Sequence, residues 1–314
     1  MPLVWEQDED KVIAIVCSDI HLSLTPPRAR REEPDWFKAM KRPLDELAEL
    51  SSYYDAPILC AGDIFNHWRE EPALVNFALK YLPSMYAIPG QHDLPLHNID
   101  LIEKSAFWTL ALAEKIVPII QEEPIVLEND IILHAFPWGR ELTPLKQPAV
   151  KGKHHIALVH SFFWMEGHSY KVASKKEHAS QFKNKVKGYH SVVFGDNHQG
   201  FTTELNGVPV INCGTLMRRN SDEKEYAPKI GLLCRSGNIM VHRCSLKNEH
   251  LKTVEEDLSG SHSQAVGDMA DFLNGLKDAQ TKSFDYAEAV EFLMDKYSVS
   301  ISVRKNLLEA LGRG

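Results

Sequence analysis

Five short polar stretches carry residue types that bind metal ions or move protons: Asp19-Ile20-His21, Gly62-Asp63, Gly90-Gln91-His92-Asp93, His160, and Gly195-Asp196-Asn197-His198. Carboxylates, imidazoles and an amide oxygen, with no thiolate among them, suit Mn2+, Fe2+, Zn2+ or Mg2+ rather than copper or an iron–sulfur cluster. Singly each stretch is weak, because a chain rich in His and Asp shows an Asp-x-His about once by chance. Together, Asp19, His21, Asp63, Gln91, His160, Asp196 and His198 are too many donors for one ion and suit two ions that share a carboxylate. Two ions roughly 3.5–4 Å apart clamp a phosphoryl group and activate water for in-line attack. Asp63, alone after its strand, is the natural bridge.

The elements that must position these residues are legible as apolar runs. Lys11–Cys17, Pro57–Ala61, Ser84–Ile88, His155–Val159 and Ser191–Phe194 read as buried strands, and each polar stretch begins within a few residues of a strand end. In a parallel sheet those carboxyl ends converge on one rim, which makes coincidence a poor explanation. Helical spacing from Asp35 to Leu50 and from Glu71 to Tyr81 alternates with the first three strands, the βαβ pattern of a parallel sheet. Beyond about Asp100 the pattern loosens. Runs at Pro124–Leu127 and Ile131–Ala135 flank a turn-forming Asn129-Asp130, and Phe201–Glu204 and Val208–Asn212 flank Asn206-Gly207, both hairpin signals. Lys229–Leu233 and Ile239–Cys244 are expected to complete a second sheet.

Length and composition set the class. The chain has 314 residues, 44% hydrophobic and 25% charged, enough for one large domain with a small appendage. Residues 1–250 read as the catalytic domain and 251–314 as a small, mostly helical C-terminal extension. A net charge of −8 argues against an extensive basic surface but leaves room for a local basic groove. The start lacks a signal-peptide pattern, and no stretch approaches the roughly 18 consecutive apolar residues of a membrane span. The five cysteines are scattered without Cys-x-x-Cys pairing and read as buried thiols of a cytoplasmic protein.

In order and spacing the polar stretches resemble the motif series of the calcineurin-like metallophosphoesterase superfamily, across about residues 11–215. The resemblance implies an α/β fold, a two-sheet sandwich flanked by helices. It implies that Asp19, His21, Asp63 and His198 hold one divalent ion, and Asp63, Gln91, His160 and Asp196 a second. His92 would donate a proton to the leaving oxygen, with Asp93 fixing its orientation. Two positions depart from the family pattern: Gln91 stands where Asn is usual and Asp196 where His is usual. An Asp in place of a His makes the second site harder, which favours Mn2+ or Mg2+ over Zn2+.

Within the superfamily, Ser18-Asp19-Ile20-His21-Leu22, Gly62-Asp63-Ile64-Phe65 and Ile211–Arg219 look most like SbcD-type, phage-like DNA repair exonuclease subunits. That likeness implies DNA as substrate, an SMC-like coiled-coil ATPase as partner and a possible homodimer. Arg218, Arg219, Asn66 and His67 are then the candidate substrate contacts; the family often carries a His where Asn66 stands. Arg28, Arg30 and Arg31, the six lysines between Lys171 and Lys187, and Arg218-Arg219 could line a basic track. For the lysines alone, a solvated face is the simpler expectation. Trp138 and Trp164 could stack on bases, although isolated tryptophans more often belong to a core. The rival function is hydrolysis of a small or nucleotide phosphoester, and a third is a catalytically decayed scaffold, against which the retained His92 weighs.

Overall fold

The computed structural model describes residues 11–128, 130–145, 150–167, 174–247 and 249–252. The chain divides into two units, Met1–Thr253 and Val254–Gly314. The helices expected in the C-terminal extension lie outside the described residues.

Two six-stranded sheets carry the first unit. In the first, β1 (Val12–Cys17), β2 (Ile58–Cys60), β3 (Met85–Ala87) and β4 (Ile116–Pro118) run parallel, and β11 (Lys229–Cys234) and β12 (Ile239–Arg243) extend it antiparallel beyond β1. In the second, β6 (Ile131–Phe136), β7 (His154–His160), β8 (Ser191–Gly195) and β10 (Val208–Asn212) are parallel. Their edges are closed antiparallel by β5 (Ile125–Val126) and β9 (Phe201–Leu205). The two C-terminal strands were expected in the second sheet. Instead β11, buried on both faces from Ile230 to Cys234, takes the open edge of β1, with Ile15 opposite Leu232, while β9 already closes the neighbouring edge of β10.

Three layers of apolar side chains hold this together. Ile13, Val16, Leu59 and Ile88 meet Leu133, Leu158, Val193 and Ile211 between the sheets. The helices α1 (Trp36–Tyr54), α2 (Pro72–Tyr81) and α3 (Ala106–Leu112) cover the outer face of the first sheet through Met40, Leu44, Leu47, Leu74, Phe77 and Phe107. Asp35 caps α1, its carboxylate accepting the Lys38 N–H at 3.0 Å. Phe163, Phe182, Phe194 and Phe201 stack on the outer face of the second sheet. All five cysteines are buried, and no disulfide joins them. Among the described residues no helix is long and apolar enough to cross a membrane.

Candidate metal centre

The loops that leave β1 and β2 stay laced together past the strands. The N–H groups of Asp19, His21 and Leu22 donate to the carbonyls of Gly62, Asp63 and Ile64 at 3.0, 3.0 and 2.9 Å. Asp19, His21, Asp63 and Asp196 all sit in left-handed backbone, with φ of 50°, 49°, 56° and 82°. Such conformations cost non-glycine residues on the order of 1–3 kcal/mol each and persist where the surroundings over-determine them. Here four occur on one rim, each at a donor. The third loop approaches so closely that only glycine fits: a Cβ at Gly90 would sit on Asp63 Oδ1 and within 2.6 Å of the His160 ring.

The seven donors converge. Asp63 Oδ1 accepts the His92 backbone N–H at 2.9 Å, while Oδ2 is buried with no hydrogen-bond partner. That orphan oxygen lies 3.5 Å from His160 Nε2, 3.8 Å from His21 Nε2 and 4.0 Å from His92 Nε2. On one side of it, His21 Nε2 and His198 Nε2 face each other at 3.0 Å, with Asp19 Oδ1 at 3.7 and 3.9 Å. On the other, His160 donates from Nδ1 to the Ala61 carbonyl at 2.5 Å, so its Nε2 turns to Asp63 and to Gln91 Oε1 at 2.6 Å. Gln91 Nε2 donates to Asp196 Oδ1 at 2.7 Å.

Electrostatics ask for cations at this point. Asp19 and Asp63 are fully buried, and among the described residues no Lys or Arg nitrogen comes within 4.0 Å of either carboxylate. Uncompensated buried charge of this kind costs several kcal/mol, at the order of magnitude, unless an ion or proton answers it. Burial opposes protonation of His160, yet Asp63, Asp19 and Asp196 outweigh it and hold this imidazole well above its usual value. Burial keeps His21 and His198 below theirs, so both imidazoles are neutral at pH 7 and have a lone pair available to a cation. Burial alone would raise Asp63, but His160 and His21 overcome it and keep the carboxylate ionised. An orphaned carboxylate oxygen between converging imidazoles fits a shared divalent ion pair. Three overlapping donor groups, Asp19–His21–His198, His21–Asp63–His92 and Asp19–Asp63–His160, each lie within 4.8 Å.

A family model described as the calcineurin-like phosphoesterase superfamily domain matches residues 13–228, well over half of the chain. The chain belongs to the calcineurin-like phosphoesterase superfamily. Members of that superfamily bind two divalent metal ions, and the residues gathered here are candidate ligands for them. Similar solved structures include TT1561 of Thermus thermophilus, at 13% identity and TM-score 0.44, covering 74% of this chain and 99% of that one. A novel archaeal phosphodiesterase is similar at 13% identity and TM-score 0.38, covering 73% and 98%. The calcineurin-like phosphoesterase YfkN from Bacillus subtilis is similar at 12% and 0.39, covering 84% and 99%. No curated protein matches the chain.

Several expected contacts take other forms in this superfamily member. Asp93 does not orient His92. Its carboxylate is fully buried and accepts the backbone N–H groups of Gly90, Phe65 and Ile64 at 3.0, 3.1 and 3.3 Å, fastening the third loop to the second. Burial, then the Asp63 charge, push Asp93 up to about 7. The Asn66 carbonyl orients His92 instead, taking its Nδ1–H at 2.8 Å. Asn66 lies at the rim, but His67 is exposed and exchanges its contacts with Arg69 and the Trp68 ring. Arg218 is withdrawn into a pair with Glu249, and Arg30, 1% exposed, is paired with Glu33 and Glu249. The basic track expected through both residues is therefore broken by glutamates. Lys185 pairs with Glu141 at 2.6 Å, and Lys175, Lys176 and Lys183 are exposed; 171–173 lie outside the described residues. Trp138 is half-buried, edge-on to His160 at 6.3 Å, and Trp164 donates to the Ser174 carbonyl.

Two supporting residues escaped the reading of the sequence. Asn212, fully buried, donates to the carbonyls of Asn197 and Gln199 at 2.6 and 3.1 Å and so shapes the loop that carries Asp196 and His198. Ser18 donates to Asp19 Oδ2 at 2.5 Å, leaving Oδ1 toward the two imidazoles. A polar residue at the last position of an otherwise apolar strand was the available signal for Asn212.

Proposed function

We propose that the chain is a two-metal phosphodiester hydrolase acting on nucleotidic substrates, with DNA, as in SbcD-type repair nucleases, the first candidate. The observation that carries the reading is the unpartnered Asp63 Oδ2, set between His21 and His160 and open to His92. Asp19, His21, Asp63 and His198 would hold one ion, and Asp63, Gln91, His160 and Asp196 the other. Bound there, two divalent ions supply positive charge to the phosphoryl oxygens and activate the attacking water. Mn2+ is the ion the oxygen-rich second set favours, with Mg2+, Fe2+ and Zn2+ as alternatives.

The protein's own contribution centres on His92. Its Nδ1–H is committed to the Asn66 carbonyl, so the imidazolium form presents its second proton from Nε2. The side chain is 41% exposed, which leaves that proton accessible to a leaving oxygen at the rim.

A second reading, a small nucleotide diester as substrate, is favoured by the glutamate pairing of Arg30 and Arg218, which takes two cations out of the expected basic track. Incubation with Mn2+, Mg2+ or Zn2+ and single-stranded DNA, duplex DNA or bis-p-nitrophenyl phosphate tests both. Cleavage of DNA supports the first. Hydrolysis of the small ester with DNA left intact selects the second, and no hydrolysis with any ion would leave a scaffold. An SMC-like ATPase partner and a homodimer belong to the first reading and would be sought by co-purification and sedimentation.

A further inference from the structure

We propose that Arg219 and Asn66 form a positioning relay that holds His92 over the metal rim, so that Arg219 serves the departure of the leaving group through His92 rather than by gripping substrate. The inference rests on the reading of His92 as proton donor.

The bonds form a continuous path between two loops. Arg219 Nη1 donates to the His21 carbonyl at 2.7 Å, and Nη2 donates to Asn66 Oδ1 at 2.8 Å. Asn66 in turn donates its N–H to the Leu22 carbonyl at 2.9 Å and offers its own carbonyl to His92 Nδ1 at 2.8 Å. A carbonyl can only accept, so this last bond settles the tautomer and the tilt of the ring. One guanidinium therefore spans the backbone of the first metal-binding loop and the side chain of the residue that aims His92. A rigid fork suits this task, whereas a lysine ammonium is a point charge on a flexible stem.

The alternative role, a direct phosphate contact, fits less well. Both terminal nitrogens already point at protein oxygens, on two separate loops. The neighbouring Glu223 turns its carboxylate to the backbone N–H groups of Arg219 and Asn220, at 2.5 and 3.1 Å. Among the described residues no carboxylate lies within 4.0 Å of the Arg219 guanidinium. Burial lowers this guanidinium only to about 10, so it stays charged at neutral pH and its bonds to neutral oxygens are charge-assisted. Asn66, where the resembled pattern often has a His, thus acts through both its carbonyl and its side chain.

Leaving-group dependence separates this role from simple loop support. Full-length protein loaded with Mn2+ would be assayed on aryl methyl phosphodiesters whose phenols range from p-nitrophenol to phenol. His92→Ala is expected to lose at least tenfold more rate on the phenyl than on the nitrophenyl ester, because the more basic oxygen needs the proton. Arg219→Gln should reproduce that selectivity with metal content unchanged. The double variant should be within about threefold of His92→Ala alone, since groups acting as one unit are not additive. Arg219→Lys should share the loss.

Losses that multiply in the double variant, equal loss across all esters, or full activity in Arg219→Lys would each overturn the relay. Asn66→Ala keeps the backbone carbonyl that holds His92 and removes the side-chain amide whose Oδ1 Arg219 holds, so it serves if Arg219→Gln fails to fold. Wild-type selectivity in Asn66→Ala would also overturn the relay. No selectivity in His92→Ala itself would instead sink the proton-donor reading beneath it.

Discussion

At the scale of single residues, adjacent side chains on one loop divide the work in a way their types do not announce. Asp63 places one oxygen on a backbone N–H and leaves the other bare between imidazoles. If that oxygen bridges two ions, Asp63→Ala should reduce metal content from two equivalents to none by plasma emission analysis; one fully retained ion would rule out the bridge. His92 and Asp93 should differ sharply in stability. Asp93→Ala strips the acceptor from three backbone N–H groups in a fully buried position. Each orphaned donor costs about 1–3 kcal/mol, so a loss of at least about 3 kcal/mol is expected in urea unfolding. His92→Ala removes a side chain that is 41% exposed and should move the midpoint by less than about 1 kcal/mol. Equal effects would contradict the assignment of Asp93 as a loop clamp. The donor types and their order were legible in the sequence. The role of Asp93 was not, because two of its partners, Ile64 and Phe65, belong to another loop and offer backbone groups that no side-chain motif records.

At the scale of elements, the strands were legible and their partners only partly so. The β1, β2 and β3 runs, each ending in a donor, could be placed in one parallel sheet from alternation with helices. The β11 run Lys229–Cys234 is apolar enough for either sheet, and only the free edge of β1 decides where it goes. The loops beyond the strands depend on close approach, which glycine alone allows. Gly90 faces Asp63 Oδ1 and the His160 ring, so Gly90→Ala must displace two candidate ligands at once. Expected consequences are loss of at least one ion per chain and a fall in turnover of a hundredfold or more, measured with metal content on the same sample. Gly139, around which a Cβ would meet nothing within 4 Å although φ is +85°, is the control: Ala there should cost strain but no metal. Metal retained in full by Gly90→Ala would mean that the third loop has slack the packing does not suggest.

Over the whole molecule, opposite ends of the second sheet carry opposite kinds of histidine. At the carboxyl ends, carboxylates hold His160 above its usual value. Toward the amino ends of β7 and β8, His155 and His190, with His134 on the outer face of β6, form a chain. Among the described residues no carboxylate pairs with an imidazole of this chain, although Glu122 and Glu141 line the same cavity. His134 Nε2 and His155 Nδ1 lie 3.0 Å apart, and the His155 backbone N–H meets His190 Nδ1 at 3.0 Å. His134 and His155 line a cavity of about 600 Å³ together with Tyr189 and Arg140. Burial, and then His155, push His134 down to about 4, and burial lowers His155 and His190 as well. Because the folded value lies below the unfolded one near 6.5, the unfolded chain binds more protons between about pH 4 and 6.5. The contribution is therefore complete above about 6.5 and lost as pH falls toward 4. His134→Phe puts an aromatic ring without a proton site in place of the imidazole. The stability lost by the parent between pH 7.5 and 5 should shrink in this variant by about 1–2 kcal/mol, once solvent screening of a partly exposed group is allowed for. The metal centre is common to both proteins and cancels in the difference. Urea midpoints that fall in parallel with pH would show that the histidine chain on this face is not what makes the fold acid-sensitive.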